Sequence, residues 1–138
     1  MKRLRVLFVD PTDGPRAQIA RALLAATAGP HVQARSAGTI PGGSLAGVGD
    51  VLAEVNVPYQ PHQTPLTAAA MHTPELLIAV CEEGCDSCPY VPGAGAGRRW
   101  PFEDPAALSG AARVAALRAI RDGSLPRVLS LADELASR

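Results

Sequence analysis

Val6-Leu7-Phe8-Val9-Asp10-Pro11-Thr12-Asp13-Gly14-Pro15-Arg16 is the stretch that decides the fold. Leu4 to Val9 is a short run rich in β-formers that ends at Asp10, which predicts a strand buried on both faces. Asp10 to Pro15 is turn chemistry throughout. A helical pattern then begins near Arg16, with Ile19, Leu23 and Thr27 on one face and Gly29-Pro30 as its stop. Strand, acidic loop and helix make the opening unit of a parallel α/β sheet.

Further along the chain the same alternation recurs. Val32 to Ala37 predicts a second strand, closed by Gly38 and the Pro41-Gly42-Gly43 loop. Leu45, Val48, Val51, Leu52 and Val55 recur at helical spacing, weakened by Gly47 and Gly49. Leu66 to Met71 predicts a short helix, and Leu76 to Val80 is the strongest buried-strand signal, ending at Cys81. Glu82 to Gly97 predicts a long surface loop, followed by a short fourth strand over Arg98 to Phe102. Val114, Leu117 and Ile120 give one helical face, and Val128, Leu131, Ala132 and Leu135 give that of a further helix. Arg113, Arg118 and Arg121 are expected on the wet faces of these final helices.

Strands alternating with helices imply right-handed parallel crossovers and an open doubly wound sheet, in one domain over residues 1–138. Functional groups in such sheets collect beyond the carboxyl ends of the strands, where Asp10, Cys81 and the Trp100 to Pro105 segment fall.

Composition narrows the function classes. The chain is 47% hydrophobic and 19% charged, and its thirteen Lys+Arg balance thirteen Asp+Glu. That balance argues against electrostatic capture of nucleic acid or of an anionic membrane. Lys2 is the only lysine, which excludes any mechanism needing a buried one. No segment reaches the roughly 18 apolar residues of a membrane helix. The apolar run at Val6 to Val9 is too short for a signal peptide. The three cysteines all lie within Cys81 to Cys88, an odd number that forms no disulfide framework, so a cytoplasmic protein is expected.

Two other families open with a strand and an acidic loop. A response-regulator receiver needs an aspartate after the third strand and a later lysine, whereas this chain has Cys81 there and no such lysine. A haloacid-dehalogenase phosphatase needs two aspartates separated by one residue, and two residues separate Asp10 from Asp13.

A third family matches at many points. Val6-Leu7-Phe8-Val9 with Gly14 and Arg16, Ile19-Ala20, Ala22-Leu23-Leu24, Ser36-Ala37-Gly38-Thr39, Val80-Cys81 and Cys88-Pro89 occur in its order. So do Pro92-Gly93, Arg99-Trp100 with Phe102 and Asp104-Pro105, and Arg118-Ala119-Ile120-Arg121-Asp122. The chain resembles the low-molecular-weight tyrosine phosphatase superfamily over nearly its whole length. Cys81, Cys88 and the Trp100 to Pro105 stretch are most similar to the thioredoxin-coupled arsenate reductase branch.

The resemblance implies a flavodoxin-like open parallel sheet of four strands with helices on both faces, no cofactor, and an oxyanion cradle in the first loop. In the family a cysteine at the cradle attacks phosphorus or arsenic, an arginine grips the oxyanion, and an Asp-Pro aspartate protonates the leaving group. Carried over by position, Arg16 keeps the oxyanion arginine, Asp104 the general acid, and Cys81 and Cys88 the two relay thiols that thioredoxin reduces. The nucleophile position is Asp10. A carboxylate there forms neither adduct, and like charges at about 4 Å repel by several kcal/mol when poorly solvated. Pro11 and Pro15 each remove a donor, and Asp13 adds a second acid. We therefore expect a degenerate homologue whose anion site is filled by Asp10, helped by Asp13 and paired with Arg16, with weak oxyanion binding at most.

Cys81, Cys85 and Cys88 leave several roles open. Cys81 and Cys88 suit dithiol exchange with a thioredoxin-like or other protein partner, and three thiolates suit Zn²⁺ or trivalent arsenic, with His62 or His72 as a further ligand. The C-x3-C-x2-C spacing also occurs in radical-SAM enzymes, which need a much longer chain. A buried strand-end cysteine beside inert loop residues is the bland alternative. Arsenate reduction through Cys81 and Cys88, or a phosphatase with an unusual nucleophile, are the enzymatic alternatives. Asp104 before Pro105 is equally suited to capping a helix, Trp100 and Phe102 to packing the core, and Arg98-Arg99 to lying in solvent.

Overall fold

The computed structural model describes residues 3–69, 73–82 and 96–138. The strands are β1 (Leu4–Val9), β2 (Val32–Ala37), β3 (Leu76–Ala79) and β4 (Ala96–Arg99). The helices are α1 (Pro15–Thr27), α2 (Val48–Ala53), α3 (Leu66–Ala69) and α4 (Gly110–Ala136), with a 3-10 turn over Pro105–Ala107. All pairings are parallel and the strand order is β2-β1-β3-β4, as expected of a flavodoxin-like sheet.

Alternate residues of β1 divide the core in two. Val6 and Phe8 face α1, α2 and α4, joining Ile19, Leu23, Leu52, Ile78 and Leu117 in the larger cluster. Leu7 and Val9 face the other way, with Ala37, Leu77 and Ala69 of α3. β1 is central and apolar on both faces because both are covered. Trp100 leaves β4 to pack on Phe8, ring centroids 5.4 Å apart at 50°, a tilted pair that contributes about 1 kcal/mol beyond its buried area.

Three sequence expectations change. The fourth strand ends at Arg99 instead of running to Phe102, since Arg98 and Arg99 pair with Ile78 and Ala79 where β3 itself ends. The two final helices are one helix of 27 residues that continues through Gly123 and the exposed Pro126. Val128, Leu131 and Leu135 are buried in the same cluster as Leu117 and Ile120, so packing of both halves overrides the local break. Of the final arginines, Arg118 lies half exposed as expected, but Arg121 does not. Arg121 is 9% exposed and donates to Val51 O at 2.8 Å and to Glu54 at 2.6 Å. Arg118 pairs with the same carboxylate, and Arg113 donates to Ser44 O and Ala46 O. Arg98 likewise pairs with Glu134, and Arg99 donates to Glu82 O at 2.9 Å. No helix among the described residues is long and apolar enough to cross a membrane.

Candidate functional site

β1 lies between β2 and β3, so the chain leaves its carboxyl end at the point where the strand order reverses. Asp10 stands there at the mouth of the loop that enters α1. Gly38, just past β2, is what lets the loop lie so close. A Cβ at Gly38 would lie 2.6 Å from Thr12 C and closer still to Asp13 N. Asp13 supports the turn with a positive φ of 50°, a conformation aspartate tolerates better than most residues.

The loop folds around the Asp10 side chain. Its Oδ1 accepts the N–H of Gly14 at 2.8 Å and of Thr12 at 3.1 Å. Gly14 caps α1 with no side chain of its own, so the Asp10 carboxylate is the anion at the helix N-terminus. Its Oδ2 faces Arg16 Nε at 3.6 Å. Asp10 is 1% and Arg16 5% exposed. Burial pushes the Asp10 carboxyl above its ordinary 3.8, against the Gly14 N–H, the Arg16 charge and the other loop donors.

Arg16 has two further ties. Its Nη1 donates to Phe102 O at 3.0 Å and its Nη2 lies 3.8 Å from Asp104 Oδ2. Asp104 itself is half exposed and accepts the Ala106 N–H at 3.0 Å, capping the 3-10 turn. A cavity of about 210 Å³ lies beside the loop, lined by Thr12, Pro15, Ser44, Asp104 and Arg113 among others. Neither Asp10 nor Arg16 lines it, so the carboxylate does not open onto that space.

The structure thus brings Asp10, Arg16 and Asp104 together, but it turns Asp13 away from them. Asp13 Oδ1 accepts from Gln18 Nε2 at 2.9 Å and Oδ2 from the Thr64 N–H at 2.8 Å. Its carboxyl is also raised, mainly by burial. The expectation that Asp13 helps neutralise Arg16 is therefore corrected, because the αL turn at Asp13 aims its side chain at the β2 side.

Gln18 is the residue the sequence concealed. Fully buried, it donates to Asp13, Ser36 Oγ and His62 O, and its Oε1 accepts from Arg21 at 2.6 Å and Tyr59 at 2.9 Å. The available signal was a polar side chain inside a stretch, Pro15 to Ala20, that is buried all round.

Cys81 is fully buried, with Sγ 3.9 Å from Val9 O, next to the peptide that carries Asp10. Cys85, Cys88 and His72 lie outside the described residues. Among those described, no group of three or more His, Cys, Asp or Glu is arranged to hold a metal ion, and His62 offers its backbone carbonyl to Gln18.

No protein-family model matches this chain, and no curated protein sequence does. Solved structures do. The chain is similar to an arsenate reductase from Archaeoglobus fulgidus, with a TM-score of 0.70 and 26% identity over 89% of this chain and 98% of that one. It is similar to a thioredoxin-dependent arsenate reductase from Corynebacterium glutamicum, with a TM-score of 0.74 and 28% identity. That match covers 99% of this chain and 64% of the other. An arginine phosphatase, YwlE from Geobacillus stearothermophilus, shares the fold at a TM-score of 0.73 and 23% identity, over 97% of this chain and 94% of that one. These neighbours are low-molecular-weight phosphatase superfamily members.

Proposed function

We propose that this chain is a degenerate homologue of the low-molecular-weight phosphatases, nearest the thioredoxin-coupled arsenate reductases, in which Asp10 replaces the nucleophilic cysteine and fills the oxyanion cradle itself. The observation that carries this is the double use of the Asp10 carboxylate: Oδ1 takes the Thr12 and Gly14 N–H donors and Oδ2 faces Arg16. Those donors and that cation are what an arsenate or phosphate would otherwise use. A carboxylate lacks the soft nucleophilicity of a thiolate, and its charge opposes entry of a dianion.

The remaining role falls to the thiol loop, through which the protein engages a protein partner or a soft ion such as trivalent arsenic. Cys81 at the β3 end is one member, with Cys85 and Cys88 following in the sequence. A second reading, arsenate reduction or dithiol exchange through Cys81 and Cys88, is favoured by the likeness to a thioredoxin-dependent arsenate reductase. Phosphatase chemistry with a carboxylate nucleophile is a third.

One set of assays separates them. Arsenate with thioredoxin, thioredoxin reductase and NADPH, run beside p-nitrophenyl phosphate, is expected to give no turnover. Turnover of either substrate at the rates of an active reductase or phosphatase overturns the proposal. Diamide oxidation followed by mass spectrometry tests the thiols: an intramolecular Cys81–Cys88 disulfide supports their redox competence, and its absence removes dithiol exchange.

A further inference from the structure

A cavity of about 260 Å³ lies between α1, the outer edge of β2 and the segment that leads to α3. Arg21, Arg35, Ser36, His62 and Thr64 line it over a floor of alanines, and no acidic side chain is among the described lining residues. The volume falls just under that of drug-sized pockets, which suits a small metabolite.

The cations are held in place. Arg21 donates from Nη2 to Gln18 Oε1 at 2.6 Å and to Gln60 O at 3.0 Å, and lies 5.8 Å over the Tyr59 ring. Its Nε is buried with no hydrogen-bond partner among the described residues. Arg35 donates from Nη1 to Ala69 O at 3.4 Å. Burial, then the Arg5 charge, lower the basicity of Arg35, while Glu75 acts the other way. Asp13 lies behind the wall, bonded to Gln18, to the Thr64 N–H and to Ser36, and burial raises its carboxyl above the ordinary value. Two arginines lining a pocket with no acidic residue among the described lining are matched by a doubly charged oxyanion.

We propose that this cavity binds a small dianion, a phosphate monoester or a dicarboxylate, independently of the Asp10 loop. Thr64, which also lines the cavity, carries a hydroxyl as a neutral partner beside the two arginines. The site goes beyond the proposed function and does not depend on it.

The test is an amide-resolved NMR titration of the full chain with inorganic phosphate and, separately, with succinate, at an ionic strength held constant with chloride. Saturable shifts at residues 34–36 and 62–64 are expected for at least one of them, and which one responds identifies the source of the charge. Ala68 lies exposed on α3 at the cavity wall, so Ala68→Glu should fold and abolish the saturable shifts, while Ala68→Gln should retain them. Arg16→Gln should leave them unchanged. Linear shifts equal to those with chloride, saturation confined to residues 12–17, or undiminished binding in Ala68→Glu would overturn the proposal.

Discussion

Asp10 Oδ2 and Arg16 Nε face each other at 3.6 Å, both buried, and neither atom has a hydrogen-bond partner among the described residues. The pair is close enough for charge attraction and too long for a hydrogen bond. Desolvating two charges costs several kcal/mol per ion before their attraction is counted, so this contact is a weak source of stability. Its effect is on what else can enter.

Removing the carboxylate should therefore open the cradle. Asp10→Ser is expected to bind inorganic phosphate at least about tenfold more tightly than the parent, equivalent to about 1.4 kcal/mol. Isothermal titration calorimetry at neutral pH measures it, and tight phosphate binding by the parent would contradict the self-filled cradle.

The pH dependence has a definite sign. Asp10 and Asp13 both titrate above their ordinary 3.8 in the folded chain, so the native state holds more protons than the unfolded one just above that pH. Their contribution to stability is most favourable below 3.8 and is lost as pH rises through the folded values. Glu54, held down to about 2 by Arg118 and then Arg121, acts oppositely: its contribution is present above 4.5 and lost as pH falls towards 2. Carbon-detected carboxyl titrations should place Asp10 and Asp13 above 3.8 and Glu54 below 4.5.

Asp13→Asn should destabilise by about 1–3 kcal/mol. Each Asp13 oxygen accepts a buried donor, and an amide would turn an NH₂ towards either Gln18 or the Thr64 N–H. Gln18 has no freedom to flip in response, since Arg21 and Tyr59 hold its oxygen. Urea denaturation reports the change.

Pro126→Ala should raise stability by about 1–3 kcal/mol, restoring an N–H inside α4 at an exposed position. A higher melting temperature with unchanged helicity is the expected result. A fall would mean that the proline geometry is needed for the packing of Val128 and Leu131.

Much of the fold was legible because the strands carry their burial in composition. β2 was bounded correctly from Val32 to Ala37, and Leu76-Leu77-Ile78 announced β3. The continuity of α4 was not legible, because Gly123 and Pro126 are local stop signals and the packing that overrides them is tertiary. Asp10, Arg16 and Asp104 could be picked out through the family resemblance, carried over position by position. Gln18 could not, since its partners come from the β2 strand, the segment before α3 and α1 itself. The opposite aim of Asp13 follows from one backbone angle that composition does not encode.

Arg16 is tethered to the Phe102 carbonyl, a partner from the far end of the chain. Its placement is therefore inherited from the β4–α4 connection and not from the acid it faces. A lineage that lost the acid at position 10 would find the cation still in position, ready for an incoming anion without any rebuilding of the scaffold. The acid that faces the cation and the carbonyl that aims it thus lie far apart in the sequence, so a change at position 10 leaves the aim of Arg16 intact.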